Sequence, residues 1–524
     1  MRNYKNKTKL FNIVFCAGVL LVSIIIPAGQ LAFSKSNIMD NETFSTIIVP
    51  DDYPTISQAL SHAMDGDTIF VKPAVCPKKV YAENLVINKM ITLEGAACEN
   101  VIIDGTQKGN VIEIAASGVT IRGFSIINSS NSCAGIDINM NHYNTITNNI
   151  IQSNYFGIKL YSSNGNNISY NIISNNIYNG IYCEASHSNI INDNEMNNNG
   201  LNGLYIHFTS TFNEAKYNII NSNGLDKDAS FYKKSLAGGV IFDTACRSNS
   251  IVSNEIESNQ IGANSDGANE NNILYYNNFI DNAESNARDT AKNYWNKEGI
   301  GNYWSDYTGK DDNGDGIGDT PYAILGGDNE DGYPLIDSSN PQEVLIDGPA
   351  KHKKNEGKVK FKFWALESNY PQVYFEIIWG DNSDTEIIGP VNPLTGITIS
   401  HIYELELRYT IKARIKVILP DGDILPSIRW SEHKITISKT KELLEEKNEN
   451  RLLYDYKPTL FPEILVRFLE FFGKVSISPN IVHFENLHFS RQPIELSLAK
   501  SYHCYDGVLE NQLFSKNLFF NLKK

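Results

Sequence analysis

Basic charge and paired cysteines are scarce in this chain, and each scarcity closes off a class of function. Lys and Arg total 45 against 60 Asp and Glu, a formal net charge of −15 over 524 residues. A surface of that sign repels phosphate backbones, so no nucleic acid partner is expected. The seven cysteines include no C-x-x-C pair, which argues against a thiolate metal or redox site. Long hydrophobic runs are lacking too, apart from Leu10 to Ile26. Arg2, Lys5, Lys7 and Lys9 precede that run and Ala32-Phe33-Ser34 follows it, the layout of an export signal with a small-x-small cleavage site. Residues 1–34 therefore read as a signal peptide, whose removal takes away four cations and no acids and moves −15 to −19. The alternative is an uncleaved anchor, since the run is nearly long enough to span a bilayer. Either way the bulk of the protein is secreted or at the cell surface, touching membrane only through an uncleaved N-terminal segment.

Asparagine, by contrast, is abundant and periodic. The hexads Asn149 to Asn154, Asn171 to Asn176, Asn194 to Asn199, Asn218 to Asn223 and Asn254 to Asn259 are each followed by a glycine. Those glycines are Gly157, Gly180, Gly203, Gly239 and Gly262, spaced 23, 23, 36 and 23 residues apart. Apolar pairs such as Ile150/Ile151 are too short for helices and too regular for a disordered Asn-rich tract. No coil of about 23 residues can bury its apolar face alone, so the coils must stack. The pattern predicts an all-β right-handed parallel β-helix over 47–300, with asparagines at left-handed corners and stacked along the axis. The 36-residue spacing marks an insertion, Leu225 to Leu236, looping out of one coil. Thr55 to Met64 has helical periodicity and would cap the open end of the core. Asp65 to Val71, Leu85 to Ile87, Ile91 to Gly95, Val101 to Gly105 and Val119 to Ile126 read as successive strands. Cys76 and Cys98 lie about one coil apart and are the candidate disulfide in an oxidising compartment.

That N-terminal run resembles the opening of pectin-lyase-like β-helix proteins, and the Asn-rich coils resemble the NosD-type repeat family, together over about residues 47–336. Gly301-Asn-Tyr-Trp-Ser-Asp-Tyr-Thr308, Asp311 to Tyr322 and Asp331-Gly-Tyr-Pro-Leu335 are similar to the segment that closes NosD-like archaeal surface proteins. We assign this closing segment to 301–337. From Asn340 the Asn-rich coils stop. Trp379-Gly-Asp381, His401-Ile-Tyr403 and Tyr409 to Val417 resemble a PKD-type β-sandwich over 345–437, with Asn382 where the family turn has a second glycine. The resemblance implies an adhesion or spacer module. Residues 438–473, with Lys439 to Tyr456 charged and Leu460 to Phe472 amphipathic, read as a short helical segment. No period assigns 474–524.

Three constellations carry possible chemistry. Asp311, Asn313 and Asp315 alternate before Gly316, the donor spacing of a short calcium loop, with Asp319 as a further ligand. Tyr322 stands where an EF-hand needs its bidentate glutamate, so the expectation is a structural calcium site or, more plainly, an acidic turn. Next, strand alternation after each coil glycine turns the second and fourth residues outward. It gives a stripe of Asp137/Asn139, Lys159/Tyr161, Tyr182/Glu184, Tyr205/His207 and Ile241/Asp243. Tyrosine faces beside carboxylates suit sugar rings, which makes Tyr161, Tyr182, Tyr205, Asp137 and Lys159 candidate carbohydrate contacts. Glu184 and Asp243, two coils and about 9–10 Å apart at the backbone, flank His207 with the spacing of an inverting glycosidase pair. The plainer alternative is a polar outer surface in which tyrosine simply favours strands. Third, a copper role, which the NosD name suggests, meets only scattered histidines. Asn41, Asn128 and Asn167 head N-x-S/T sequons, and a glycan on Asn167 would crowd the stripe. The expected function is a non-enzymatic binder of a polysaccharide or cell-surface glycan. The alternatives are a polysaccharide hydrolase, lyase or epimerase on the same stripe, or a structural spacer.

Overall fold

The computed structural model describes residues 44–73, 79–225, 237–338, 343–365, 371–418 and 424–438, and the short strands Val475–Ser478, Ile481–Phe484 and Leu496–Ser497. Residues from Thr46 onward form one compact unit. The signal segment, Cys76, Asn41, the insertion beyond Leu225 and the helical segment after Ser438 lie outside the described residues.

Each coil contributes one strand to each of three parallel sheets, of eleven, ten and nine strands among the described residues. In one coil these are Asn167–Ser169 on the first face, Ile172–Ser174 on the second and Asn179–Glu184 on the third. Like residues stack in register: Ile146 on Ile168, Ile151 on Ile173, Ile158 on Ile181. All six are fully buried, so the interior is a set of isoleucine columns. Of an Ile-Ile pair such as Ile150/Ile151, only the second enters the core; the first points outward and is half-buried. Val119 to Ile126 is two strands, not one. It breaks between Thr120–Arg122 and Ser125–Ile127 at Gly123, whose φ of 81° and closeness to the Gly95 carbonyl leave no room for a Cβ.

The asparagines form three ladders at the coil corners. One runs Asn144, Asn166, Asn189, Asn213, Asn249, Asn272, Asn293. A second runs Asn149, Asn171, Asn194, Asn218, Asn254, Asn277, Asn302. The third runs Asn154, Asn176, Asn199, Asn223, Asn259, Asn282, Asn286. Asn194 shows the wiring: its Oδ1 accepts from Asn171 N and Nδ2 at 3.1 and 3.0 Å, while its Nδ2 donates to Ile168 O at 2.8 Å and Asn218 Oδ1 at 3.1 Å. Contrary to expectation, these asparagines do not take the left-handed corner. The residue before each does, as at Asn148, Tyr170, Asp193 and Tyr217, except at the last rungs Asn293, Asn302 and Asn286. The coil glycines keep ordinary φ and serve close stacking instead: a Cβ on Gly157 would sit 2.5 Å from Gly180 O.

Both ends are closed. Helix Ile56–His62, capped by Thr55 Oγ1, buries Ile56, Ala59 and Leu60 over the first coils, and Glu83 accepts from the Ile56 and Ser57 amides at 3.0 and 2.8 Å. At the other end Trp295 and Trp304 are buried against Phe279, and Tyr322 stacks on Trp304 at 4.2 Å. Each ladder stops there on a carboxylate: Asn293 donates to Asp289, Asn302 to Asp331 and Asn286 to Asp306. A chain of amides that accept from below and donate upward needs a pure acceptor at its end.

The strands from Val344 to Ser438 form a β-sandwich, a three-stranded sheet facing a larger one across a shared core with Phe361, Phe363, Trp379 and Tyr409. The W-G-D and H-x-Y motifs meet inside it: His401 stacks on Trp379 at 4.4 Å and lies 2.6 Å from Asp381. The sandwich lies against the second face of the β-helix. Arg414, 1% exposed, bridges Glu376 of the sandwich and Asp193 of the helix. Lys412 meets Glu195 at 3.0 Å and Arg429 meets Glu257 at 2.9 Å. Asn382, the departure from the family turn, has φ 60° and donates to Gly95 O at 2.6 Å. From the Glu99 coil to the Glu255 coil is six coil rises, roughly 29 Å.

Candidate functional site

The outward stripe lies on the third face. Its two columns run Asp137, Lys159, Tyr182, Tyr205, Ile241 and Asn139, Tyr161, Glu184, His207, Asp243, one residue per coil and in register, although Ile241, expected to face solvent, is fully buried. The stripe is not uniformly solvent-facing. Tyr161 is 37% exposed, Tyr182 is half-buried and Tyr205 is 9% exposed, so Tyr205 is an internal prop. Tyr182 OH donates to Glu184 Oε2 at 2.8 Å and lies 3.1 Å from His207 Nδ1. Tyr205 OH donates to Asp243 Oδ2 at 2.7 Å, and its ring stacks on His207 at 5.3 Å. His207 Nε2 lies 3.8 Å from Asp243 Oδ2. Burial, then the hydrogen bond to a carboxylate, pushes both phenols well above their usual range; they stay protonated and act as donors. Two coils below, burial raises Asp137, although Lys159 is close; Asn110 donates to it at 3.1 Å.

Alternation in the sequence identified these columns. It carried no signal for the exposed Phe208, 49% accessible beside His207. Asn167, a sequon residue, lies on the first face, away from the stripe.

In the closing segment, Asp311 Oδ1 accepts from Gly314 N at 2.7 Å and Oδ2 from Gly316 N at 2.9 Å. Asn313 accepts from Asp315 N, Asp315 from Ile317 N, and Asp319 from Asp312 N, each within 2.9 Å. Among the described residues no three His, Cys, Asp or Glu side chains converge as a metal site.

The sequence matches the family described as periplasmic copper-binding protein (NosD) over residues 60–236 and 233–309. The solenoid is a NosD-like right-handed β-helix. No curated protein matches the chain. Among solved structures, a protein of Geobacillus virus E2, ORF18, shares 13% identity over 72% of this chain and 85% of its own, with a TM-score of 0.34. The pectate lyase Pel9A shares 12% over 49% and 74%, with a TM-score of 0.34. The PKD domain of an M14-like peptidase from Thermoplasmatales archaeon SCGC AB-540-F20 shares 25% over 19% of this chain and 96% of its own, with a TM-score of 0.17.

Copper does not fit the residues of this NosD-like helix. His142 Nδ1 accepts from Asn164 N at 3.0 Å and His187 Nδ1 from Thr211 N at 3.2 Å, two coils apart, too far to share an ion. Cys183 and Cys246 are buried in the core, which pushes both thiols up to about 12.

Proposed function

We propose that this NosD-like protein works outside the cytoplasm and binds a polysaccharide lying along the third face, parallel to the helix axis. The observation that supports it most is the in-register column Tyr161, Glu184, His207, Asp243, with Tyr182 and Tyr205 fixing its acids. A rise of about 4.8 Å per coil is close to the length of one sugar ring, so successive residues meet successive sugars. Tyr161 and Phe208 offer exposed ring faces, and Lys159, Glu184 and Asp243 offer hydroxyl partners. The sandwich covers the second face and leaves the third, where this column lies, open. The full chain should be retained by at least one polysaccharide in a broad array, and Tyr161→Ala with Phe208→Ala should weaken retention about tenfold or more. Equal retention by wild type and double variant contradicts the reading.

The Asp311–Asp319 loop supports a structural calcium ion, because its oxygens alternate around glycines with φ of 76° and 85°. Calcium should then raise the melting temperature relative to chelator, and Asp311→Ala with Asp315→Ala should abolish the difference.

A further inference from the structure

Carboxylates occupy the fourth outward position of the third face at a two-coil interval, Glu184 and Asp243, with His207 between them. Earlier coils carry Asn139 and Tyr161 there. The two acids approach the same imidazole from opposite sides. Tyr182 OH bridges Glu184 Oε2 and His207 Nδ1 at 2.8 and 3.1 Å, and Asp243 Oδ2 faces Nε2 at 3.8 Å. Their backbones are about 9–10 Å apart, close to the carboxyl separation of about 6.5–9.5 Å that an inverting pair uses. His207 and Asp243 side chains are 24% and 28% exposed, open to a polymer yet partly shielded from water.

We infer that this cluster cleaves the bound polysaccharide by inverting hydrolysis, with Glu184 as the acid and Asp243 as the base. The inference rests on the polymer-binding reading. Tyr182 and Tyr205 each hold one oxygen of these carboxylates, and Glu184 Oε1 carries no hydrogen bond among the described residues. In the step, the bond from the anomeric carbon to the glycosidic oxygen breaks, and that oxygen leaves with the proton of Glu184. A water oxygen bonds to the anomeric carbon from the opposite face and gives its proton to Asp243. One water is consumed, with no oxidant, reductant or metal. The proton returns from Asp243 to Glu184 through solvent. Because Tyr182 gives its hydrogen to Glu184, His207 Nδ1 must donate to the phenol oxygen, so Nε2 faces Asp243. His207 is thus a positioning residue.

The test incubates the full chain with each polysaccharide it retains and scores bound polymer, released oligosaccharide and the anomer formed first. Saturated oligosaccharides of inverted configuration are expected. Glu184→Gln and Asp243→Asn should each cut release by about 100-fold or more, while the retained fraction falls less than tenfold. His207→Gln should shift the pH profile of release. A retained polymer that is never cut, an unsaturated product, or release unchanged in both acid variants overturns the inference and leaves the binding reading standing. No retention of any polymer overturns both.

Discussion

A buried asparagine in this solenoid serves four or five hydrogen bonds at once, so the loss of one side chain is felt above and below it. Replacing Asn194 with alanine strands the backbone amide of Asn171 and takes a donor from the carbonyl of Ile168. At about 1–3 kcal/mol for each unsatisfied buried group, less what water recovers, the expected cost is roughly 2–4 kcal/mol, readable as a lower urea midpoint. Acid should act elsewhere. Burial raises Asp381, but His401 and Ser383 outweigh it, and its carboxyl ends below the usual value. A depressed acid stabilises the fold above its ordinary pKa of about 3.9, and that stability is lost as pH falls through the folded value. The sandwich should therefore loosen below about pH 4, and Asp381→Asn should flatten that dependence. Burial raises Asp331 and Asp289, so the closing cap should not share the loss. The sequence placed Trp379, Asp381 and His401 together by family likeness, and outward residues by alternation. It did not show that Tyr205 points outward yet is buried, since exposure depends on what lies over a strand.

At the scale of elements, the coils repeat but their ends do not, and the ladders make the ends decisive. Asp331 Oδ2 accepts from Asn302 N at 2.7 Å and Trp304 Nε1 at 2.9 Å. Oδ1 accepts from Tyr333 N at 3.0 Å, so in Asp331→Asn the one remaining oxygen serves either Tyr333 or the Oδ2 donors while the amide nitrogen faces the other side, leaving at least one donor unpaired. Amides of the last coils, Tyr303 and Ser305 among them, should exchange with solvent faster in this variant, while those near Ile151 stay unchanged. The glycine phase was legible in the 23-residue period, and the N-terminal cap in the helical periodicity of Thr55 to Met64. The break at Gly123 was not, because Val119 to Ile126 alternates well enough for one strand; the turn is dictated by Gly95 in the coil below. The terminating aspartates were equally hidden, being ordinary acids until a ladder reaches them.

At the scale of the whole molecule, the sandwich lies along the helix instead of trailing from it. Lys412, Arg414 and Arg429 sit on Glu195, Asp193, Glu255 and Glu257, and Arg414 stacks on Trp430 at 4.3 Å. Removing one partner of a buried pair costs about 3–5 kcal/mol. Asp193→Asn together with Glu255→Gln should release the sandwich, seen as a larger radius of gyration in solution scattering. High salt should do less, because Arg414 is out of its reach. No sign of this docking was legible in the sequence: Lys412, Arg414 and Lys416 read only as part of a sandwich strand, and nothing local says which charges meet across roughly 200 residues. The same docking leaves the third face open, and that is the face to which we assign the ligand. Hydroxyl-radical footprinting of the full chain, with and without a retained polysaccharide, tests that most directly. Protection at Tyr161 and Phe208, with Tyr294 and Tyr333 at the closing end unchanged, is the predicted result; protection at the closing end or the sandwich, with the third face still open, would contradict it.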